Sequence, residues 1–208
     1  MDEQLTRVIA AFTQQAAGFD AYQHTVSKEE FTRFALSRMA LTASDEVLEV
    51  AAGTCAFGRC IAPLVRHVTE LDVTEAMLTV GRREADKQGL TNLSFLRGTA
   101  EHLPFADGRF DCVTARLAFH HFADPAAAFA QMRRVTKPGG RIAVIDMRAR
   151  DEALRDTADR WERLRDPSHV RCLSEEELRA LAEGLEVTCC ETIRIPVPLT
   201  SWMALTQV

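Results

Sequence analysis

The sequence predicts an α/β fold built on a doubly wound, mostly parallel sheet, with helices ahead of it. From Glu46 onward, short apolar runs alternate with amphipathic helical segments, which is the pattern of strands joined by crossover helices. Small and polar residues follow these runs directly, at the positions where ligands of such sheets bind. Few strand signals precede Glu46. We therefore predict a helical cap or lid over residues 1–45 and an α/β domain over residues 46–208.

The N-terminal segment is helical in character. Large apolar side chains recur there at loosely helical spacing, namely Phe12, Phe19, Phe31, Phe34 and Met39. Ser27 and Glu30 form the pattern of a capping box, which marks a helix start. These helices either lie over a bound ligand as a lid, with Phe19 and Tyr22 as contacts, or simply cover an edge of the sheet.

Five strands and the helices between them follow in order. The strands are predicted at residues 46–52, 68–73, 93–98, 110–117 and 141–147. The intervening helices are predicted at residues 57–67, 75–88 and 126–136, and "KPGG" at 137–140 is predicted as a turn. Thr74 can cap the second of these helices and Gly89 can end it. Asp124 is a suitable N-cap for the third, with Pro125 in its first position.

The C-terminal part is less regular. Helices are predicted over residues 150–166 and 175–184, and Ser174 with Glu177 forms a capping box for the second. A sixth strand is predicted over residues 186–197, where β-branched side chains recur.

Composition argues against several classes of protein. The chain has 208 residues, a net charge of −5 and a pI of about 5.7, so no overall basic field attracts nucleic acid. The N-terminus is acidic and lacks the apolar core of a signal peptide, and no apolar run is long enough to span a bilayer. The six cysteines form neither CxxC pairs nor Cys/His ligand spacings. We predict a cytoplasmic protein with reduced thiols and no metal site.

The segment "VAAGTCAFG", residues 50–58, looks like a glycine-rich nucleotide loop with glycines missing. In the dinucleotide pattern GxGxxG, backbone amides approach a pyrophosphate closely. The corresponding positions here are Ala51, Gly53 and Ala56, so a single glycine remains, which favours a nucleoside ligand without a pyrophosphate. Asp72 lies about twenty residues beyond Gly53, where a carboxylate accepts hydrogen bonds from ribose hydroxyls. Alternatively, Asp72 only caps the following helix.

Four segments in this order and spacing resemble the class I S-adenosylmethionine-dependent methyltransferases. They are "VLEVAAGT", "TELDVTEAML", "GTAEHLPFADGRFDCV" and "VTKPGGRIAVID". They are most similar to the type 11 group, which includes the ubiquinone and menaquinone biosynthesis enzymes, and the resemblance covers residues 47–202. It implies a Rossmann-like methyltransferase sheet and S-adenosylmethionine as cofactor. Together with the acidic composition, it implies a small-molecule methyl acceptor and no nucleic-acid or membrane partner.

The resemblance also implies which residues contact the cofactor. The implied contacts are Glu49, Ala51, Gly53, Asp72, Val73, Met77, Thr99, Ala100, Glu101, Arg116 and Leu117. Glu49 stands for the acid near the cofactor's ammonium group, and Asp72 binds the ribose. Val73 and Met77 lie against the adenine. Thr99, Ala100 and Glu101, which follow the third strand, contact its edge. Thr99 stands where many relatives have an aspartate, and its hydroxyl is a weaker hydrogen-bond partner than a carboxylate.

The pair His120–His121 is the candidate for acid–base chemistry. Methyl transfer is an in-line displacement from a sulfonium, so the protein mainly aligns the reactants and excludes water. A neutral amine acceptor needs no base, whereas a phenol or an enol carbon often does, and histidine suits that role near neutral pH. We predict His121 ahead of His120 as the base. Alternatively, one histidine packs beneath the next helix and the other only lines the pocket.

Two further features leave alternatives open. The segment "LRDPSHVR", residues 164–171, resembles a smaller bacterial branch of the group. It either places His169 and Arg171 at the substrate mouth or forms a structural turn in which Arg171 pairs with an acid. Cys55 stands where the family has a third glycine. A left-handed backbone there costs on the order of 1–2 kcal/mol, and a thiol at a helix N-terminus can be reactive.

The C-terminal end is shorter than the resemblance implies. The family's sheet ends with a seventh, antiparallel strand between strands five and six, and only the stretch "LTSWMALTQV" remains after the predicted sixth strand. Either the sequence is truncated or "WMALTQV" supplies a stunted strand. A missing strand exposes backbone groups on strand five, which predicts either poor stability of the chain alone or repair by a partner chain, as in a homodimer.

Two other functions fit parts of this pattern. One is a non-catalytic relative that keeps the cofactor pocket but serves as a binding or assembly subunit. The other is a nicotinamide-dependent oxidoreductase, which needs a phosphate-cradling loop that this sequence lacks.

Overall fold

The computed structural model describes residues 3–19, 29–148 and 151–193. Its α-helices are α1 (Glu3–Gln15), α2 (Glu29–Arg38), α3 (Ala56–Ile61), α4 (Glu75–Lys87), α5 (Pro125–Val135), α6 (Arg155–Arg165) and α7 (Glu175–Leu181). Its strands are β1 (Glu46–Val50), β2 (His67–Asp72), β3 (Leu93–Arg97), β4 (Phe110–Arg116) and β5 (Thr136–Ile145). No helix in these ranges is long and apolar enough to cross a membrane. Tyr22, Ser27 and the side chain of Glu30, for which the sequence predicts a lid contact and a capping box, lie outside the described residues.

The five strands form one parallel sheet in the order β3–β2–β1–β4–β5. The strand order reverses at β1, and side chains pack on both faces of the sheet, so the predicted doubly wound α/β fold is confirmed. Alternate residues of β1 divide between the two faces. Leu48 and Val50 belong to a core cluster with Phe119, whereas Val47 belongs to a second cluster with Phe57. The carboxyl ends of β1 and β4 meet at the point of reversal, where a crevice is expected.

Helix α3 is shorter than the sequence pattern predicts. The expected helix covers residues 57–67, but α3 ends at Ile61 and continues as a single 3₁₀ turn, Ala62–Leu64, which contains Pro63. Proline lacks the N–H for an α-helical hydrogen bond, and its ring clashes with the preceding turn. His67 accordingly begins β2 instead of ending the helix.

The "KPGG" segment is part of β5, so the prediction of a separate turn is wrong. β5 pairs with β4 from Thr136, and the register shifts between the pairs Phe110–Thr136 and Cys112–Arg141. Gly139 has a φ of +75° in the irregular stretch, a conformation that glycine adopts without a Cβ penalty. Where the sequence predicts a turn, the structure therefore has an irregularity inside a longer strand.

After β5 the chain forms α6 and α7. The capping box predicted for α7 is confirmed, since Ser174 Oγ accepts from the Glu177 N–H at 3.0 Å and Glu177 Oε2 accepts from the Ser174 N–H at 2.8 Å. The predicted sixth strand is wrong over its described part, because residues 186–193 are irregular and exposed. β-branched side chains form a strand only against a partner, and within the described ranges β4 is the one strand paired with β5. Residues 194–208, with the "WMALTQV" stretch, lie outside the described residues.

Helix α1 packs against α4. Ala16, in a 3₁₀ turn that follows α1, joins Met77 and Val80 of α4 in a small buried cluster. Phe12 and Phe19 pack against this cluster and against each other, with ring centroids 5.8 Å apart. These apolar contacts hold the N-terminal helix beside the loops that follow the strands.

Candidate functional site

A cavity of about 420 Å³ opens at the carboxyl ends of the central strands. Its walls come from the loops after β1, β2, β3 and β4 and from α1. Ten of the eleven predicted cofactor contacts line it: Glu49, Ala51, Gly53, Asp72, Val73, Thr99, Ala100, Glu101, Arg116 and Leu117. Doubly wound sheets bind ligands at this switch point, and the volume suits a small organic ligand.

The Asp72 carboxylate joins the loop after β1 to the end of β2. Asp72 Oδ2 accepts from the Gly53 N–H at 2.8 Å, and Oδ1 accepts from the Thr74 N–H at 2.7 Å. Thr74 is the N-cap residue of α4, as predicted, but its side chain makes no capping bond. Asp72 stabilises this helix start instead. Burial raises the pKa of Asp72, and the two N–H donors oppose that rise. A carboxylate has about four acceptor positions, so Asp72 also keeps capacity for a ligand hydroxyl.

Four residues in or beside the cavity wall have a left-handed backbone. The φ angles are +55° for Ala51, +56° for Gly53, +59° for Cys55 and +53° for Leu117. This conformation costs a non-glycine residue on the order of 1–2 kcal/mol. The left-handed backbone considered for Cys55 is therefore present, and two more strained residues accompany it. Strain of this kind concentrates at functional sites.

Cys55 is a packing residue. Its side chain is fully buried in a cluster with Ala52 and Leu78, and a Cβ built on Gly81 of α4 would lie 2.7 Å from its Sγ. Burial raises the pKa of the Cys55 thiol, and the carboxyl group of Glu70 raises it further. A buried, protonated thiol is a weak nucleophile, so the position does not support the reactive-thiol alternative.

Two glutamates lie side by side beneath the loop. Glu49 and Glu70 stand opposite each other in the β1–β2 register, and both are buried. Burial raises the pKa of Glu49 to about 7, and burial together with the charge of Glu49 raises the pKa of Glu70. The two carboxyls hydrogen-bond to each other, and among the described residues no backbone N–H, hydroxyl or basic side chain donates to Glu49 Oε2 or to either carboxyl oxygen of Glu70. Two such carboxyls are tolerated together only when at least one of them holds a proton.

Gly58 and Arg116 border this pair. A Cβ built on Gly58 would lie 1.7 Å from Glu70 Oε1, so only glycine leaves room for the Glu70 carboxyl. Arg116 lies over the ring of Phe57, with 5.4 Å from Cζ to the centroid, and its charge opposes the effect of burial on the Glu49 pKa. Glu49 lines the cavity, so its carboxyl would suit the ammonium group of a ligand.

The residues predicted on the adenine side fall into two groups. Val73, Thr99, Ala100 and Glu101 border the cavity. Met77 does not, since its side chain is fully buried in the cluster between α1 and α4. The α4 face that carries Met77 is covered by the N-terminal helix, and its position does not support the predicted adenine contact.

His120 lies behind the cavity and not in its wall. Its Nδ1 pairs with Asp146 Oδ1 at 2.5 Å, and its backbone N–H donates to Asp146 Oδ2 at 3.2 Å. Burial lowers the pKa of His120, but the Asp146 carboxylate outweighs burial, so the pKa is raised. This buried pair fastens the loop after β4 to the end of β5, and the position of His120 does not support a role as base.

His121 forms part of the cavity wall. Its ring meets the ring of Phe12 edge to face, with centroids 5.1 Å apart, and its carbonyl accepts from Gln4 Nε2 at 3.1 Å. Burial and the neighbouring His120 charge lower the pKa of His121 to about 3. The imidazole is therefore neutral at physiological pH, with one N–H and one lone pair. The alternative in which one histidine packs inside and the other lines the pocket matches this geometry.

The "DPSHVR" segment forms internal contacts. His169 Nε2 pairs with Asp159 Oδ1 at 2.8 Å, and Arg171 Nη1 donates to Glu177 Oε1 at 2.6 Å. Neither residue lines the cavity, so the structural turn is observed.

The ligand-type atoms of Asp159, His169 and Cys172 lie within 4.8 Å of one another, a spacing that a metal ion accepts. Asp159 Oδ1, however, already accepts from the Cys172 N–H at 2.8 Å as well as from His169. Burial also raises the pKa of the Cys172 thiol, whereas a metal binds the thiolate. These contacts therefore favour a structural role for the three residues.

Helix α1 supplies wall residues that the sequence reasoning missed. Gln4, Leu5, Val8 and Phe12 all line the cavity. The spacing of Leu5, Val8 and Phe12 places them on one helix face, so an amphipathic reading of α1 could have found them. Ser168, which is buried against His121, has no such local signal.

The chain resembles known methyltransferases in sequence and in structure. Residues 48–144 match the family model described as a methyltransferase domain. The uncharacterized methyltransferase YcgJ of Bacillus subtilis is 36% identical over 164 residues, which cover 77% of this chain and 65% of that protein. The crystal structure of YcgJ matches with a TM-score of 0.69, over 72% of this chain and 64% of that one. The ubiquinone/menaquinone biosynthesis C-methyltransferase UbiE of Marinomonas sp. (strain MWYL1) is 32% identical over 169 residues, which cover 77% of this chain and 67% of that protein. This chain thus spans about two thirds of the length of these relatives.

Proposed function

Because this chain belongs to the S-adenosylmethionine-dependent methyltransferase family, we propose that it transfers a methyl group from that cofactor to a small molecule. The observation that carries the proposal is the pair of cavity carboxyls, Glu49 and Asp72, at the ends of adjacent strands. Glu49 is buried beside Glu70, and Asp72 accepts from the Gly53 N–H of the loop.

These carboxyls suit the two polar ends of S-adenosylmethionine. The ammonium group of the cofactor suits the Glu49 carboxyl, and the remaining acceptor positions of Asp72 suit the ribose hydroxyls. Of the three glycine positions of the GxGxxG pattern, Gly53 alone is kept in this loop, which fits a ligand without a pyrophosphate. The bound cofactor supplies a methyl group on a sulfonium, and the chain's task is to orient the acceptor and exclude water.

The far wall of the cavity favours a small, partly apolar acceptor. Leu5, Val8 and Phe12 of α1 form one side, and His121 with Phe122 continues it. These side chains offer apolar surface together with one neutral imidazole. The net charge of −5 does not favour a nucleic-acid substrate.

Calorimetry with S-adenosylhomocysteine, the demethylated cofactor, tests the first half of the proposal. We expect binding of S-adenosylhomocysteine in preference to NAD, and at least tenfold weaker binding in Asp72→Asn. Asp86→Asn changes an exposed carboxylate on α4 and serves as the matched control with unchanged affinity. Absence of binding by the unmodified chain would overturn the proposal, and preference for NAD would favour the oxidoreductase alternative.

Labelled S-adenosylmethionine tests the second half. Incubation with a bacterial extract should place the labelled methyl group in the small-molecule fraction. Label in the nucleic-acid or protein fraction would contradict the small-molecule acceptor. Binding without any transfer would favour the non-catalytic alternative.

A further inference from the structure

The residues behind His121 determine which of its ring nitrogens carries the proton. His121 Nδ1 lies 3.1 Å from Ser168 Oγ. Ser168 Oγ in turn lies 2.5 Å from Asp166 Oδ1, which also accepts from the Ser168 N–H at 2.9 Å. All three residues are buried, so these bonds do not compete with bulk water.

The direction of each hydrogen bond follows from the proton count. Burial opposes ionisation of Asp166, but the hydrogen bonds from Ser168 and the charge of Arg165 help to lower its pKa, so Asp166 is a carboxylate and can only accept. A serine hydroxyl has one proton to donate, and the short bond to the carboxylate takes it. Ser168 Oγ therefore accepts from His121, and the proton of the neutral imidazole sits on Nδ1.

The remaining nitrogen, Nε2, then has a lone pair. Among the described residues, Ser168 is the one hydrogen-bond partner of the His121 ring, and His121 belongs to the cavity wall. The ring is held from two further sides, by the edge-to-face contact with Phe12 and by Gln4, which donates to the carbonyls of both His121 and Ser168. The lone pair is thus presented in a fixed direction.

We propose that Ser168 and Asp166 are positioning residues that hold His121 as its Nδ1–H tautomer, so that Nε2 accepts a hydrogen bond from the attacking group of the methyl acceptor. This inference rests on the proposed function. It narrows the acceptor class to molecules whose attacking atom carries a hydrogen, such as a neutral hydroxyl or amine. A carboxylate or thiolate offers no hydrogen to Nε2 and meets a lone pair there instead.

Nitrogen-15 NMR of the histidine side chains tests the tautomer directly. In the unmodified chain, we expect His121 to carry its proton on Nδ1. Ser168→Ala should shift His121 toward the Nε2–H form, and Ser168→Thr, which keeps the hydroxyl, should retain the Nδ1–H form. Ser94→Ala is the matched control, because Ser94 Oγ lies 3.0 Å from His67 Nε2 and its loss should alter the His67 signals alone.

Two results would overturn the inference. The first is an Nε2–H tautomer in the unmodified chain, which needs no variant to observe. The second is a folded Ser168→Ala variant whose His121 tautomer is unchanged. Calorimetry with S-adenosylhomocysteine on the same samples keeps the two proposals apart. If the chain does not bind S-adenosylhomocysteine but His121 has the expected tautomer, the proposed function is wrong. If the chain binds S-adenosylhomocysteine normally but His121 has the other tautomer, only the positioning role is wrong.

A pair of simple probes tests the acceptor role of Nε2. With S-adenosylhomocysteine bound, phenol should shift the Nε2 signal of His121, and anisole, which lacks the hydroxyl hydrogen, should not. Equal shifts with both probes, or a shift with neither, would contradict hydrogen bonding to Nε2.

Discussion

The thiol of Cys55 fills the space that Gly81 leaves open on helix α4. A Cβ built on Gly81 would lie 2.7 Å from Cys55 Sγ and 3.0 Å from the Thr54 carbonyl oxygen. Cys55 therefore keeps a left-handed backbone, with a φ of +59°, at a position where the family has glycine. The strain is offset by burial of the side chain against a residue small enough to receive it.

Gly81→Ala should destabilise the chain by about 1–3 kcal/mol, because it overpacks this contact. Adding Cys55→Gly should recover part of that loss, since it removes the sulfur that the new methyl group meets. Urea unfolding of the two single variants and the double variant measures the coupling. Purely additive effects would show that the two residues do not interact.

Gly53→Ala should weaken S-adenosylhomocysteine binding and also destabilise the chain. Gly53 has a φ of +56°, a conformation that is less stable for alanine by on the order of 1–2 kcal/mol. If the backbone moves to relieve this strain, the N–H that donates to Asp72 moves with it. Calorimetry measures the affinity and urea unfolding measures the stability.

Gly89→Ala is the matched control for that substitution. Gly89 has a φ of +67° with open space around it, and it lies outside the cavity wall. We expect a similar loss of stability with unchanged affinity. An equal loss of affinity in both variants would mean that Gly53 acts only through global stability.

Glu70→Gln should flatten the dependence of stability on pH. Burial and the charge of Glu49 raise the pKa of Glu70, so the folded chain holds a proton that the unfolded chain releases. That stabilisation is full below the ordinary glutamate pKa of about 4.3 and is lost as pH rises through the folded pKa. The urea midpoint of the unmodified chain should fall more between about pH 5 and about pH 8 than that of Glu70→Gln. Glu176→Gln, at an exposed position, should behave like the unmodified chain, and an identical fall in Glu70→Gln would refute the prediction.

S-adenosylhomocysteine binding should release a proton near neutral pH. Burial raises the pKa of Glu49 to about 7, so the group is partly protonated there, and an ammonium group beside it favours the carboxylate. Calorimetry in two buffers of different ionisation enthalpy measures the protons released. Glu49→Gln should bind more weakly and release fewer protons, and a heat that does not depend on the buffer would count against Glu49 as the ammonium partner.

Much of the fold follows from local pattern. The five strands could be predicted because each is a short apolar run, and the helices could be predicted because their apolar residues recur at a different period. The cavity residues of the strand ends could be placed for the same reason, since parallel strands end at one edge of the sheet. The pattern failed at two single residues, since Pro63 ends α3 early and Gly139 allows β5 to begin before its predicted start. It also failed for the described part of the sixth strand, which has no partner strand there.

The sheet, the loop after its first strand and the family can all be predicted from the amino-acid sequence alone. Three relationships require the tertiary structure: Glu49 and Glu70 compete for a proton, Met77 is buried outside the cavity wall, and Ser168 contacts His121 across 47 residues of sequence. Local periodicity shows which side of a segment is buried. Which buried groups meet depends on the register of strands and on the packing of helices distant in sequence, and a hydrogen bond requires that meeting to within a fraction of an ångström.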